Sequence, residues 1–526
     1  MTCMAQVVIT HSDLSELVNI GKEEAIETLT MLGFPTEETA EGNLDVEVTP
    51  NRPDALCVEG IARALESYLA GKQKKHYAAI AGKPKVSVEV DKSVSDVRPA
   101  FGCAIVQNVK LTESALRSLM QLQEKLHDTL GRKRRKVAIG IHDIDAVMPP
   151  FRYLACKKED FSFVPLERQE KMTLNRILLE HEKGKAYAHL VGEKCPLIID
   201  SNRAVLSFPP IINGELTRLK CSSKNLFVDA TGTSPEAVKQ AVNIIVAALL
   251  DRNGKAEEVS VNGEPYRILE ERKMELPVFE AERLLGVKLG KEKCCALLKK
   301  MGHQANGNCV LVPGYRTDVI SPVDLIEDIA IAYGFNNFEP TLPSFGSIGK
   351  AAAECPYHEL LVGLGFDEAV TWTLSNQETA KKAKLQPKDC VEIENPLAAD
   401  FTVFRPAILP NLLNVLFESK NEKLPVKVYE IGPAGSTSIG PHLAAVSMHP
   451  KASFSEIIGI AQSLAESTGK TIRLEEEDFG PFIKGRCAAL YIDEKKAGFA
   501  GEISPQVLVD FGLEQPVCAF EILLGA

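Results

Sequence analysis

Apolar residues recur at helical spacing over residues 11–33 (Leu14, Leu17, Val18, Ala25, Leu29, Leu32), with a break near Gly21 and an end at Gly33 before Pro35. Leu44-Asp45-Val46-Glu47-Val48 then alternates apolar and acidic positions, the period of a strand with one face in water. Pro50-Asn51-Arg52-Pro53-Asp54 follows as a turn, because two prolines fix φ and the Asn and Asp side chains satisfy nearby backbone groups. Helical spacing returns over 58–69, and the polar stretch 71–75 reads as a linker. Beyond it the period changes to strands at 86–90 and 101–109. A helix over 116–130, more strands and turns up to Asp229, and an apolar helix over 235–250 follow. Three helices are predicted at 279–285, 291–301 and 323–333, with the turn Asn306-Gly307-Asn308 between the second and third. The remainder mixes helices with strands such as 427–431 and 487–493.

These changes of pattern divide the chain into segments 1–75, 76–265, 266–349 and 350–526, in keeping with 526 residues at roughly 100–200 per domain. No repeat and no low-complexity tract interrupts them. The expected class is α+β multidomain: an N-terminal α/β domain, an α+β domain, a small helical unit and a final segment that mixes helices with strands. No apolar run approaches the roughly 20 residues of a membrane span, and residues 1–20 lack a basic start and an apolar stretch. A cytoplasmic protein without a membrane partner is expected. The thirteen cysteines contain no C-x-x-C pair, so they are expected as reduced, mostly buried thiols.

The formal charge of −11, from 60 Lys and Arg against 71 Asp and Glu, argues against nucleic-acid binding by a uniform basic coat. Segment 76–265 is nevertheless net basic, with 28 Lys and Arg against 23 Asp and Glu, and contains the run Arg132-Lys133-Arg134-Arg135-Lys136. Such a run is either a solvated loop or a phosphate contact.

Local chemistry concentrates around Asp318, Asp324, Glu327 and Asp328. Ser321 and Pro322 fit the N-cap and first position of a helix. On that helix Asp324, Glu327 and Asp328 stand at i, i+3 and i+4 and project from one face, while Asp318 can fold back over the first turn. Four carboxylates so placed repel one another unless a cation lies between them, and oxygen ligands suit Mg²⁺. The alternative is structural: Asp324 fits the third position of a capping box, and acidic groups complement a helix start. Other motifs are incomplete. Gly469-Lys470-Thr471 has Leu464 where a phosphate loop needs glycine, Gly363-Leu364-Gly365 has Glu368 in place of a third glycine, and neither H-E-x-x-H nor G-x-S-x-G occurs.

Several stretches together resemble one family. They are Val48 to Leu56 with Val58 to Arg63, Gly131 to Asp145, Leu206 to Glu215, Asp229 to Thr233, Arg316 to Phe335, and Glu394-Asn395-Pro396. Phe404-Arg405-Pro406 with Leu409-Pro410, Tyr429 to Gly432, and Gly485-Arg486 with Gly501-Glu502-Ile503 complete the order. The chain resembles the β subunits of phenylalanyl-tRNA synthetase, archaeal type, across almost its whole length.

The resemblance implies a cytoplasmic α₂β₂ ligase that joins phenylalanine to its tRNA using ATP and Mg²⁺, with the aminoacylation site on the α subunit. It implies that 1–75 binds tRNA and partner, and that 76–265 hydrolyses tyrosine wrongly attached to the tRNA. Residues 266–349 become a helix-turn-helix-like unit, and 350–526 an inactive domain like the class II catalytic fold, an antiparallel sheet with helices, at the subunit interface. Phe404-Arg405 stands where an adenylation site places such a pair, but no acid follows two residues later and no glycine-rich segment leads to Arg486, so Arg405 is expected as a structural arginine. The resemblance assigns Mg²⁺ to Asp318, Asp324, Glu327 and Asp328. For the editing pocket it draws attention to Ser207, Asn213, Asp229 and Thr231, where polar groups at the para position of a ring would select tyrosine. Asn213-Gly214 also fits a hairpin turn, and 229–233 a turn or helix cap. No inserted oligonucleotide-binding barrel and no anticodon-binding extension of the bacterial kind is expected. A free-standing RNA-binding or protein-interaction scaffold of the same fold is the alternative function.

Overall fold

Leu44, Val46 and Val48 lie on one face of the strand Leu44–Val48, and all three are buried. In the computed structural model, which describes residues 5–73, 77–78, 83–342, 346, 349, 355–386, 388, 390–436 and 438–524, this strand is the centre of a three-stranded sheet. Its neighbours Ala5–Ile9 and Thr36–Glu38 both pair with it antiparallel. The N-terminal segment expected as α/β is therefore built on an antiparallel sheet, in which the two outer strands run the same way on either side of the central one and are joined by the helical stretch 11–31. Gly21 separates two helices, His11–Ser15 and Lys22–Met31. The expected linker at 71–75 begins with Gly71 closing the helix Val58–Ala70, and residues 74 and 75 lie outside the described ones.

The chain forms two compact units, Met1–Pro343 and Ser344–Ala526. In the first, segments 1–75, 76–265 and 266–349 are not packed separately: one hydrophobic cluster runs from Val7 to Ala332. At its centre lies the helix Pro235–Asp251, whose residues 244 to 249 are all buried, which explains why its sequence shows apolar character on every face. The helix packs on a four-stranded antiparallel sheet in which Leu226–Gly232 is flanked by Ala100–Gln107 and Val137–Asp143. A seven-stranded sheet contains Val205–Phe208 and Ile212–Asn213 at one edge, joined through Lys194–Ile199 to Phe151–Lys157. Segment 229–233, for which a turn or cap was an alternative, is strand as far as Gly232.

Residues 272–333 combine a three-stranded sheet with helices Val278–Leu285, Gly290–Lys300 and Pro322–Tyr333. Gly307 sits between the hairpin strands Gln304–Asn306 and Cys309–Val312. The second unit is built on seven strands, antiparallel except for the short edge strand Asp367–Glu368. Helices Leu409–Glu418 and Phe454–Ser467 pack on this sheet. Among the described residues the cysteines other than Cys390 form no disulfide, and no helix is long and apolar enough to cross a membrane.

Candidate functional site

Asp229 occupies the middle of the strand Leu226–Gly232, opposite Gly140 on one neighbour and Cys103 on the other. Gly140 is required there: a Cβ on it would stand 2.2 Å from Asp229 Oδ2 and 2.7 Å from His142 Nε2. The open space lets the His142 ring reach across the sheet. Its Nε2 lies 2.8 Å from Asp229 Oδ2 and its Nδ1 2.7 Å from Thr217 Oγ1, with both Asp229 and His142 buried. The carboxylate is thereby fixed by one oxygen.

Asp229 forms part of the wall of a cavity of about 200 Å³ that is also lined by Ser207, Asn213, Pro209, Ile212, Gly140 and Arg134. Ser207 Oγ donates to Asn213 Oδ1 at 3.1 Å, which leaves the amide N–H₂ of Asn213 to serve a ligand. The strands Val205–Phe208 and Ile212–Asn213 pair Ser207 opposite Asn213, so register alone brings the two together. Asp229 and Asn213 thus offer an acceptor and a donor, the pair a hydroxyl needs.

Helix Glu113–Asp128 closes another side. Gln123 Nε2 donates to Ile139 O at 2.7 Å, and Ile139 N–H donates to His127 Nε2 at 2.8 Å. The His127 proton therefore sits on Nδ1, which faces Glu124 from 3.7 Å. The Glu124 carboxyl is drawn down to about 2, first by His127 and further by Arg134 and Lys183. Arg134 turns inward, donating to Glu124 at 2.7 Å and to the carbonyls of Ile211 and Pro210 at 2.9 and 3.2 Å, with its guanidinium 4.5 Å from the centre of the Tyr187 ring.

Of the four residues expected at this pocket, Ser207, Asn213 and Asp229 line one cavity. Thr231 does not. Two residues beyond Asp229 on the same strand, it is fully buried and accepts from Arg98 Nε at 2.9 Å through its hydroxyl and from Arg98 Nη2 at 2.8 Å through its carbonyl. His142 and Thr217 were missed: no spacing links residues 142, 217 and 229, and only the sheet register unites them.

The carboxylates at 318–328 are organised around a buried arginine. Arg316 donates to Asp318 at 2.8 Å, to Asp328 at 2.8 Å and to the carbonyl of Met301 at 3.0 Å. His303 Nε2 stands 2.6 Å from Asp328 Oδ2. Burial alone pushes the Asp318 and Asp328 carboxyls up, but Arg316 outweighs it and holds both below the usual carboxylate range. Asp324 closes a capping box with Ser321, its Oδ2 accepting from the N–H groups of Ile320 and Ser321 at 2.7 Å each. Glu327 is exposed, and its carboxyl is raised by partial burial and by Asp328, Asp318 and Asp324 nearby.

Tested as a metal cage, this donor set does not close: Asp318 and Asp328 turn to Arg316, and Asp324 to its capping box. The cation between Asp318 and Asp328 is Arg316, and among the described residues no three acidic, His or Cys groups converge as a metal requires. Glu327 carries the charge that the protein leaves uncompensated.

The turn 50–54 joins the same region. Arg52 binds Asp54 through two hydrogen bonds of 2.9 and 3.0 Å, and Arg63 Nη2 donates to the Asp54 carbonyl at 3.2 Å. Gly60 allows that carbonyl to approach, since a Cβ would come within 1.8 Å of it. In the second unit Arg405 is buried and donates to Glu430 at 2.7 Å, Thr371 at 2.8 Å and the Pro433 carbonyl at 2.9 Å. It is a structural arginine, as expected.

The comparisons agree in kind. Residues 274–335 match the family model described as tRNA synthetase B5 domain, and residues 352–524 the one described as phenylalanyl tRNA synthetase beta chain CLM domain, which places the chain among tRNA synthetase proteins. Two curated proteins named phenylalanine–tRNA ligase beta subunit, from Methanosarcina barkeri and Archaeoglobus fulgidus, are each 39% identical over 99% of this chain and 99% and 98% of their own lengths. The chain belongs to the family of phenylalanine–tRNA ligase β subunits. A crystal structure of an N-terminal fragment of the phenylalanyl-tRNA synthetase β-subunit from Pyrococcus horikoshii superposes with a TM-score of 0.59 at 35% identity, covering 62% of this chain and 99% of the fragment.

Proposed function

We propose that this chain is the β subunit of a cytoplasmic α₂β₂ phenylalanine–tRNA ligase, that the α subunit uses ATP to attach phenylalanine, and that residues 76–265 hydrolyse tyrosine attached in error. The observation that carries the editing reading is the buried Asp229 carboxylate in the cavity wall, one oxygen held by His142, facing a space that Asn213 also lines. A phenol hydroxyl donates to Asp229 and accepts from the Asn213 amide. A phenylalanyl ring leaves both polar groups desolvated and unpaired, and sites of that design disfavour the analogue lacking the hydroxyl by about 10⁴–10⁵-fold. The Ser207 hydroxyl is spent on Asn213, so water is the nucleophile that attacks the ester carbonyl, and the ring hydroxyl fixes the ester where water reaches it.

The test is single-turnover hydrolysis of tyrosyl- and phenylalanyl-tRNA by the reconstituted complex. The tyrosyl ester is expected to be cleaved faster, and Asn213→Ala to narrow the ratio by about tenfold, the worth of one buried hydrogen bond. Equal cleavage of both esters by the parent complex overturns the reading.

Mg²⁺ is inferred at the outer edge of the cluster, on Glu327 with Asp318, Asp324 and Asp328 as its neighbours. A hard cation there supplies the compensation that Arg316 gives only to the inner pair. Saturating Mg²⁺ is expected to stabilise the parent by about 1–3 kcal/mol, the scale of linked binding, and to leave Glu327→Gln unshifted in thermal unfolding. Identical unfolding of the parent with Mg²⁺ and with chelator counts against the ion.

A further inference from the structure

The basic run of residues 132–136 is shaped as a left-handed turn. Arg132, Lys133 and Arg134 have φ of 48°, 54° and 64°, three successive non-glycine residues in a region that L side chains disfavour. The turn wraps back over the end of helix Glu113–Asp128, where Lys133 N–H donates to Asp128 O and Arg134 N–H to His127 O at 3.0 Å. Its effect is to divide the run. Arg134 is directed into the cavity wall, while Arg132, Lys133 and Arg135 stay exposed beside it.

A second cation lies beneath the turn. Arg98 is buried, and its Nη1 and Nη2 donate to the carbonyls of Arg135 and Arg134 at 3.2 and 3.1 Å. Its remaining hydrogen bonds go to the hydroxyl and carbonyl of Thr231. Burial draws it down to about 10, so it stays charged at neutral pH. Among the described residues no carboxylate pairs with Arg98, Arg132, Lys133 or Arg135. The strained turn thus carries three exposed cations without a carboxylate partner outside and an uncompensated one beneath, and through Arg134 it stands at the rim of the cavity.

We propose that this turn, anchored by Arg98 and Thr231, holds the sugar-phosphate backbone of the single-stranded RNA end whose terminal ester enters the cavity. The inference rests on the editing reading, and it explains why Thr231 lies on the strand of Asp229 without lining the cavity: the strand carries the ring-recognising carboxylate and the anchor of the phosphate-binding turn two residues apart. Exposed cations on a strained backbone keep their charge for a ligand, and phosphate contacts position the substrate.

The experiment compares tyrosyl-tRNA with the tyrosyl ester of adenosine, which has no phosphate, in the reconstituted complex carrying R132Q, K133Q and R135Q together. All three side chains are exposed, and folding is checked by thermal unfolding. The triple variant is expected to need at least about tenfold more complex for half-maximal cleavage of tyrosyl-tRNA, with the slope of log affinity against log salt reduced by about 2, as three single-strand phosphate contacts require. Cleavage of the adenosine ester is expected to be unchanged. Equal loss on both esters, or on neither, overturns the proposal. If the parent cleaves neither ester, the editing reading fails by itself. Binding of an oligoribonucleotide matching the tRNA 3′ end then decides the turn: weaker binding by the triple variant supports it, and equal binding overturns it.

Discussion

Tyrosyl-tRNA hydrolysis by the complex is expected to fall about 10²–10³-fold on replacing Asp229 by Ala, because the change would remove a charged hydrogen bond to the ring hydroxyl and leave the buried His142 without its carboxylate, together about 3–4 kcal/mol. Asp229→Asn keeps the shape and tests the charge; it is expected to lose nearly as much, since an amide in place of the carboxylate weakens both the phenol contact and the His142 contact. On the proposed reading His142 acts through Asp229, and substitution separates this from a plain packing role. A Gln amide nitrogen takes the place of His142 Nε2 and still reaches Asp229, whereas an Asn amide takes the place of Nδ1 and reaches only Thr217. His142→Gln is therefore expected to retain most hydrolysis and His142→Asn to lose it. Parent-like rates in both Asp229 variants, with protein that unfolds at the parent temperature, would sink the pocket.

The second large effect is on stability. Arg316→Met leaves Asp318 and Asp328 buried without their shared cation, and breaking a buried pair in this way costs about 3–5 kcal/mol. The earliest calorimetric transition of the protein is expected to move down accordingly. The pH dependence has a definite sign. Both carboxyls titrate below their unfolded values, so the stability they contribute is full above the ordinary carboxylate range and is lost as pH falls through their lowered folded values. In Arg316→Met that depression is gone, and protonation relieves the unpaired charge. The gap between parent and variant is expected to be widest near pH 7 and to narrow towards pH 3. A gap independent of pH would mean that Arg316 acts through packing alone.

Much of the chain was legible before its structure. The alternation Leu44-Asp45-Val46-Glu47-Val48 is a strand because a pleated ribbon presents every second residue to the core. Ser321-Pro322 with Asp324 starts a helix through the capping box that their spacing allows. The apolar helix of segment 235–250 is the centre of the first unit, its length and composition suiting burial on all sides. Ser207 and Asn213 lie six residues apart and meet because a hairpin register follows from local chain geometry.

The reading stopped where burial and packing choose the partners. Spacing on one helix correctly put Asp324, Glu327 and Asp328 on a common turn, yet nothing in it placed Arg316 between Asp318 and Asp328, or His303 beside Asp328. Thr231 stands two residues from Asp229 in the sequence and was expected beside it in the pocket. The fold instead spends its hydroxyl on Arg98, 133 residues away. The basic run was visible, but whether it was a loop or a phosphate contact depended on backbone torsions that sequence does not express.

The sequence by itself determined the elements, their caps, their buried faces and the family, because periodicity and capping are local properties of a chain and the motifs occur in order along it. Tertiary structure alone decided which charges neutralise one another, which oxygen of Asp229 is held by His142, and that Arg134 faces inward while its neighbours face water. Those outcomes depend on burial, and the groups lie from 2 residues apart, as Arg316 and Asp318, to 133, as Thr231 and Arg98. One hydrogen bond or ion pair is chosen among those available only after the sheets and helices have packed.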